Sequence, residues 1–272
     1  MIEIILIVSA LCGIGIPFII WGITPWLILW IPLFGIGIYA VLLALYFIVL
    51  IIMGLFFDSK KEFYEPNDFI YAVLRDLGHT LNRLSRIKIH VEGKELIPKD
   101  QKYLLISNHI SNYDPIVNVD CFKDKNVVYI SKEGNFKIPI AGRLAKGSGF
   151  MAIDREDVRK AMGTINQAAE YIKSGKASVC IYPEGTRNKT DEKLLEFRNG
   201  ALKIATKAKC PLVIMTIRGT RDVVKNFPFK RTHVYVKVGE VIPADRVASM
   251  KTNELSDEAR KIMLEFLNED IK

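Results

Sequence analysis

A histidine and an aspartate five residues apart, His109 and Asp114, are the residues best suited to chemistry in this sequence. They follow the apolar run YLLIS, in the segment NHISNYDP. This offset points two side chains about 140° apart on a helix and to opposite faces on a strand, so they meet only where the chain bends. A carboxylate on one imidazole nitrogen fixes the tautomer and leaves the other nitrogen as a base. The pair therefore predicts general-base catalysis at a strand end.

The same segment also has a purely structural interpretation. Asp114–Pro115 is typical of a helix start, with Asp as the N-cap and Pro at the first helical position. His79, His90 and His233 lie within helix or strand patterns, and no role is predicted for them. From these residues alone, both interpretations stay open.

Basic side chains and a glycine-containing turn follow several other apolar runs. The segment PEGTRN, residues 183–188, comes directly after ASVCIY, and its turn lets backbone N–H groups converge beside the forked cation of Arg187. Lys132 follows NVVYIS, Arg155 follows GFMAID, and Arg198 lies in FRNGA. Each alone is typical of a solvated surface or an ordinary loop. Their repetition at predicted strand ends favours an anionic substrate.

These residues need a scaffold that brings strand ends together. Short β-branched runs alternate with amphipathic stretches, which predicts an α/β fold with a mostly parallel sheet flanked by helices on both faces. In such sheets chemistry usually occurs at the carboxyl ends of the strands. The predicted strands cover residues 87–91, 103–107, 126–130, 149–153, 177–182, 212–217 and 233–238. The predicted helices cover residues 68–84, 156–173, 199–208 and 256–268.

The first 57 residues are a different kind of sequence. They carry one formal charge, Glu3, and contain two apolar runs, residues 4–23 and 33–57, each long enough to cross a bilayer as a helix. A signal peptide is not favoured, because no basic segment precedes the first run and no small-residue cleavage site follows it. We therefore predict a membrane-anchoring helical hairpin over residues 1–57 and a second domain over residues 58–272. The first helix is expected to span, re-enter or lie in the interface.

Charge places the second domain on one side of the membrane. The chain has 272 residues and a net charge of +8. All 38 basic residues and 29 of the 30 acidic ones lie beyond residue 57. This excess predicts a cytoplasmic domain at the cell membrane that is attracted to anionic lipid. The basic balance comes with no nucleic-acid recognition motif, no G-x-S-x-G elbow and no nucleotide-binding loop, and the four cysteines lack metal-site spacing.

Taken in order, the motifs resemble those of the glycerolipid acyltransferases with an H-x4-D motif, and most closely the 1-acyl-glycerol-3-phosphate acyltransferases. The similarity covers roughly residues 85–245. The first motif, NHxSxxD, is matched by Asn108, His109, Ser111 and Asp114, and the second region is matched by Lys132, Pro139, Gly142 and Arg155. The third motif is matched by Pro183 to Arg187, followed by Phe197, Arg198 and Gly200. The fourth motif is matched by residues 210–214. Met215 departs from the pattern, because many members carry a second proline there.

The resemblance implies transfer of an acyl chain from an acyl thioester to the 2-hydroxyl of lysophosphatidic acid, giving phosphatidic acid. It implies that His109 is the general base and that Asp114 orients it. Lysolipid binding is expected at Arg155, Glu184, Gly185, Thr186 and Arg187, with Arg198 added to them. Lys132, or backbone N–H groups near it, would stabilise the developing oxyanion. No cofactor or metal is implied; acyl-CoA or acyl-carrier protein would be the co-substrate.

Three other functions stay open at this point. The acceptor could be another lysophospholipid or glycerol phosphate itself. The same pair could serve a membrane-bound lipid hydrolase or transacylase, which would release free fatty acid or exchange chains without consuming a thioester. A non-catalytic lipid-binding protein would not need the imidazole of His109.

Overall fold

The computed structural model describes residues 1–58, 61–122, 127–198 and 200–269. The chain divides into two compact units, Met1–Asp58 and Ser59–Lys272. The sequence predicts a boundary between residues 57 and 58. That the first unit is a membrane anchor and the second an acyltransferase domain stays a prediction at this stage.

Two apolar helices form the first unit. Helix α1 covers Ile2–Trp21 and helix α2 covers Leu27–Leu55, and their mean hydropathies of 2.6 and 2.9 suffice, by length and composition, for crossing a membrane. α2 begins at Leu27, before the predicted start at residue 33. Pro32 lies near the N-terminus of α2, where its missing N–H removes a single bond to the carbonyl of Ile28, so it does not end the helix.

Small residues let the backbones of α1 and α2 touch. A Cβ atom added to Gly13 would lie 2.6 Å from the Cα atom of Gly35. Ser9, Gly13 and Pro17, spaced four residues apart on α1, are all buried. Such stripes of small residues are typical of helix pairs in lipid, where close backbone packing replaces the hydrophobic effect. At the turn, the rings of Trp21 and Trp30 stack with centroids 5.3 Å apart.

A seven-stranded sheet forms the centre of the second unit. The strands are β1 (Ile87–Glu92), β2 (Leu104–Ser107), β3 (Val127–Lys132), β4 (Met151–Ile153), β5 (Ser178–Ile181), β6 (Leu212–Arg218) and β7 (Thr232–Ile242). Their order is β1-β7-β6-β2-β5-β3-β4, and among the described pairs β6–β7 is the antiparallel one. The mostly parallel sheet and the seven predicted strands are confirmed, with ends shifted by a few residues. Residue 126, where one strand was predicted to begin, lies outside the described residues.

Eight helices of the described chain surround this sheet or connect its strands. They are α3 (Asp68–Leu84), α4 (Asp114–Cys121), α5 (Ala141–Gly147), α6 (Val158–Lys173), α7 (Lys203–Ala208), α8 (Val223–Asn226), α9 (Ala244–Ser249) and α10 (Thr252–Asn268). The prediction for α3 is confirmed at both ends, and the Asn67 side chain caps it by accepting from the N–H of Ile70. α5, α8 and α9 were not predicted, and of α4 only the start at Asp114–Pro115 was indicated by the sequence. Residue 199, the predicted start of α7, lies outside the described residues.

The topology of the sheet determines where catalytic and binding residues can come together. Strands β2 to β6 run parallel to one another, so their carboxyl ends lie along one edge of the sheet. β2 is fully buried, with Leu104, Leu105 and Ile106 at 0% exposure. The buried sheet therefore positions the segments that follow β2, β3, β4, β5 and β6 along this edge.

Candidate active site

The chain bends sharply after β2 because Asn108 ends the strand pairing with its side chain. Its Nδ2 donates to the carbonyl of Ile217 (3.0 Å), and its Oδ1 accepts from the Ile217 N–H (2.8 Å). The side-chain amide of Asn108 thus pairs with the backbone of Ile217 on β6, where the next main-chain pair of the two strands would otherwise be. The main chain is free to turn at His109 and enter α4 at Asp114.

This bend brings His109 and Asp114 together. Nδ1 of His109 lies 2.8 Å from Oδ2 of Asp114. The alternative interpretation is confirmed for the helix start, since α4 begins at Asp114 with Pro115 next to it, but it is wrong for the cap, because Tyr113 occupies the N-cap position. The Asp114 carboxylate instead accepts from the N–H groups of Ile110 (2.7 Å) and Ser111 (2.8 Å), in the turn before the helix.

Asp114 is a fully buried carboxylate with both oxygens in use. Its side chain is 0% exposed, and its second oxygen accepts a hydrogen bond from the hydroxyl of Thr220. A buried charge is tolerated only when it is hydrogen-bonded in this way. A hydrogen bond from Nδ1 to Asp114 makes Nε2 the ring nitrogen that can accept a proton, which is the arrangement a general base needs.

The imidazole is also held from other directions. The ring of Tyr182 stacks on it with centroids 4.3 Å apart and an interplanar angle of 21°. The Tyr182 hydroxyl accepts from Nδ2 of Asn118 on α4 (3.0 Å), and burial raises its pKa well above the ordinary value. The main-chain carbonyl of His109 accepts from the N–H of Asn188 (2.7 Å). His109 therefore has a fixed ring position, with 15% of its side chain exposed.

Glu184 of the PEGTR segment lies inside the protein. It is 3% exposed; Oε1 accepts from the N–H of His109 (2.6 Å) and Oε2 from the N–H of Leu195 (3.0 Å). Burial raises the pKa of this carboxyl, and the two backbone hydrogen bonds oppose that shift. Unlike the other residues predicted to bind lysolipid, Glu184 does not line the cavity beside His109. It connects the turn after β2 to the segment after β5.

A cavity of about 360 Å³ opens beside His109. It brings together the remaining residues predicted for the site, which are Lys132, Arg155, Gly185, Thr186, Arg187 and Arg198. Part of its wall is apolar and is formed by Ile130, Ile153, Ala161, Ile165, Ile181 and Ala201. The cavity thus joins a base, a set of cations and an apolar surface.

Two of the arginines in this cavity, Arg155 and Arg198, repel one another. The pKa of Arg155 is lowered, first by desolvation and then by the nearby charge of Arg198. Within the described ranges, no carboxylate forms an ion pair with Arg155, Arg187 or Arg198. Unpaired guanidinium groups around one space are suited to a multiply charged anion such as a phosphate.

Gly185 lets Arg198 lie across the PEGTR turn. Its φ is +68°, and an added Cβ atom would lie 2.6 Å from Cδ and Nε of Arg198. The N–H of Arg198 also donates to the carbonyl of Pro183 (2.8 Å). The glycine is therefore required both by the backbone conformation and by the arginine packed against it.

Sequence reasoning missed four residues that hold the pair in place: Asn108 as a strand-ending side chain, Asn118, Tyr182 and Thr220. Tyr182 could have been found, since it precedes PEGTR at a predicted strand end. Thr220 carries no such signal. It is far from Asp114 along the chain and meets it only because β6 pairs with β2.

Comparisons with known proteins show which proteins this chain is similar to. The model of the family described as Acyltransferase matches residues 88–218. The chain is 28% identical over 202 residues to the 1-acyl-sn-glycerol-3-phosphate acyltransferase of Saccharomyces cerevisiae, covering 73% of this chain and 66% of that one. It is 29% identical over 194 residues to the Escherichia coli protein of that name, covering 68% of this chain and 76% of that one. The chain spans 48% of the chloroplastic Arabidopsis thaliana relative, at 33% identity.

A solved structure has the same fold. The crystal structure of the 1-acyl-sn-glycerophosphate (LPA) acyltransferase PlsC from Thermotoga maritima superposes with a TM-score of 0.62 at 20% identity, covering 100% of both chains. At this identity the similarity concerns the fold. It includes the mostly parallel sheet, the flanking helices and the apolar N-terminal pair.

Proposed function

We propose that this protein acylates the 2-hydroxyl of lysophosphatidic acid from an acyl thioester, giving phosphatidic acid; in support, residues 88–218 match the model of the family described as Acyltransferase. The observation that supports this most strongly is the cavity in which the His109 imidazole, oriented by Asp114, lies with Lys132 and three arginines. The yeast and E. coli relatives are named for this activity.

His109 acts as the base in the proposed reaction. Nε2 removes the proton of the acceptor hydroxyl as its oxygen attacks the thioester carbonyl. The new C–O bond forms, the C–S bond breaks, and the proton passes from the imidazolium to the departing thiolate. Asp114 stabilises the imidazolium at Nδ1 (2.8 Å). General-base action of this kind contributes about 10²–10⁴ in rate.

The cations have two roles in this proposal. Arg155, Arg187 and Arg198 bind the phosphate of the lysolipid, with Gly185 and Thr186 forming the turn beside it. Lys132, or a backbone N–H near it, stabilises the oxyanion that develops on the thioester carbonyl. Glu184 accepts a hydrogen bond from the main-chain N–H of His109 (2.6 Å). It acts through His109 and does not contact the substrate.

The first unit and the charge of the second explain how the substrates arrive. The two apolar helices hold the protein at the membrane where a long-chain lysolipid resides. The Lys/Arg excess beyond residue 57 supports a cytoplasmic location for the second unit. The donor, acyl-CoA or acyl-carrier protein, is acidic and is attracted by the same excess. No step requires a cofactor or a metal.

The test is a direct assay of the full-length protein in detergent and in liposomes. Lysophosphatidic acid is supplied with labelled acyl-CoA and, separately, with labelled acyl-carrier protein; other lysophospholipids and glycerol phosphate are parallel acceptors. We expect labelled phosphatidic acid and release of the free thiol carrier in equal amounts. Preferred labelling of another acceptor would change the assigned substrate. Free fatty acid formed without thioester consumption would point to a hydrolase, and chain exchange without thioester consumption to a transacylase.

A further inference from the structure

The connection from β6 to β7, residues 219–231, lies at the same sheet edge as the His109–Asp114 pair. Its beginning is fixed to the site, because Thr220 donates to Asp114 and Arg221 Nη2 donates to the carbonyl of Asn188 (2.7 Å). Its end enters β7 at Thr232, beside the start of β1. The segment beyond Asp222, residues 223–231, thus borders the region of the active site.

This segment, which we call the rim loop (residues 223–231), exposes large apolar side chains. Phe229 is 86% exposed, Val224 73% and Phe227 51%. Leu84, 62% exposed, ends α3 two residues before Arg86, whose Nη1 donates to the carbonyl of Pro228 (3.4 Å). A cluster of exposed aromatic and aliphatic groups on one loop marks an interaction surface, since water solvates it poorly.

The rim loop is built to hold these groups outward. The N–H of Phe227 donates to the carbonyl of Val223 (3.0 Å), and that of Lys230 to the carbonyl of Asn226 (2.8 Å). Asn226 Nδ2 also donates to the hydroxyl of Thr232 (3.1 Å). Backbone and side-chain bonds within the loop therefore fix its shape while its apolar side chains point to the outside.

Cations flank the apolar groups. Lys225, Lys230 and Arg231 belong to the rim loop, and in the described part of the chain none of them forms an ion pair with a carboxylate. Aromatic and aliphatic groups beside unpaired Lys and Arg are typical of surfaces that enter the interface of an anionic bilayer. A second copy of this chain fits less well, because a symmetric contact would bring the same cations together.

We propose that the rim loop is a membrane contact of the second unit, separate from the apolar N-terminal helices, which enters the headgroup region of anionic lipid and turns the edge carrying His109 towards the bilayer. Phe227 and Phe229 supply the buried apolar area, and the three cations bind lipid phosphates. Thr220, three residues before the rim loop, donates a hydrogen bond to Asp114. The proposed membrane contact therefore lies where a lysolipid would leave the membrane. The proposal concerns lipid contact and holds whatever the acceptor is.

Photocrosslinking tests it in the full-length protein. p-Benzoylphenylalanine is placed at position 229 or, as the matched control, at position 96; Leu96 is also apolar and 48% exposed, but it follows β1 at the opposite edge of the sheet. The proteins are reconstituted in phosphatidylcholine vesicles with and without phosphatidylglycerol and irradiated. We expect lipid adducts at 229 and not at 96, since interfacial groups enter about 5–10 Å. Equal yields at both positions, or adducts at 229 with a second copy of the chain, would overturn the proposal.

Charge variants provide the second measurement. Lys225→Gln, Lys230→Gln and Arg231→Gln should each lower the adduct yield at 229 in phosphatidylglycerol vesicles about fivefold, and much less in phosphatidylcholine alone. Unchanged circular dichroism and unchanged thermal unfolding show that these variants fold. An adduct yield that does not depend on the cations would overturn the electrostatic part of the contact. Because adducts are counted independently of turnover, a failed acyltransferase assay would leave this test intact.

Discussion

The described residues of the second unit include two His–Asp pairs, which share a contact through Nδ1 but differ in exposure and in the groups around them. Nδ1 of His109 lies 2.8 Å from Asp114, and Nδ1 of His79 lies 3.0 Å from Asp120. Both aspartates belong to α4, one at each end. The His79 side chain is 40% exposed and joins α3 to α4, whereas His109 lies in a cavity with Lys132 and three arginines. An aspartate on an imidazole is thus a common structural contact, and the surrounding groups determine whether it can catalyse.

The largest expected difference between the two pairs is in turnover. His109→Ala should lower kcat by about 10²–10⁴, because the base is lost while the fold, which rests on the sheet, remains. His79→Ala is the matched control, since it removes the imidazole that contacts the other aspartate of α4 and does not change the cavity lining. Steady-state kinetics of both variants would settle the comparison. Turnover of His109→Ala within about tenfold of the unmodified protein, or an equal loss in His79→Ala, would contradict the assignment.

The cations around His109 are the next difference. Arg187→Ala should raise KM for the lysolipid about 10- to 100-fold with a smaller change in kcat, because a charge-assisted hydrogen bond to phosphate is lost. Lys189→Ala removes the same charge two residues away and outside the cavity lining, so it controls for net charge. An effect of Arg187→Ala on the thioester KM alone would assign this arginine to the donor instead.

Much of this site could be predicted from the sequence, and the limit has a physical cause. Short motifs identified His109, Asp114 and Arg187 as candidate site residues, because local spacing and strand ends can be recognised within a single segment. Thr220 and Asn108 were missed as partners, since their bonds depend on β2 pairing with β6 across about a hundred residues. Glu184 was recognised as part of a motif, but only burial shows that its carboxylate accepts backbone N–H groups. The fold followed the same pattern: strands and long helices were predictable, whereas α5 was not and α4 was indicated only at its start.

The two aspartates also differ in the donor of their second hydrogen bond, which for Asp114 is the hydroxyl of Thr220. This hydroxyl donates to Oδ1 of Asp114, whereas Asp120 accepts from the amide of Asn82. Thr220→Val keeps the volume and removes the donor, so we expect kcat to fall about tenfold with KM for the lysolipid little changed. The expected loss arises because Asp114 is then held less firmly and orients the imidazole of His109 less well, while the cations of the cavity are unchanged. Thr220→Ser, which keeps the donor, should restore kcat.

A purely structural role for Thr220 would give a different result. The valine variant would then lose thermal stability but keep the kcat of the unmodified protein at temperatures where it stays folded. Thermal unfolding measured beside kcat therefore distinguishes a residue that positions the pair from one that only packs against it.

The smallest effect on activity is expected at the second pair. Asp120→Asn removes a carboxylate, 6% exposed, that accepts from Nδ1 of His79 (3.0 Å) and Nδ2 of Asn82 (3.2 Å), and it should lower the free energy of unfolding by about 1–3 kcal/mol. Turnover should stay within about twofold, because α4 is still held at its other end by the bonds of Asp114. Denaturant unfolding and steady-state kinetics on one preparation would measure both. A loss of turnover comparable to that of Thr220→Val would mean that the two ends of α4 are coupled, and that the second His–Asp pair supports the position of the first.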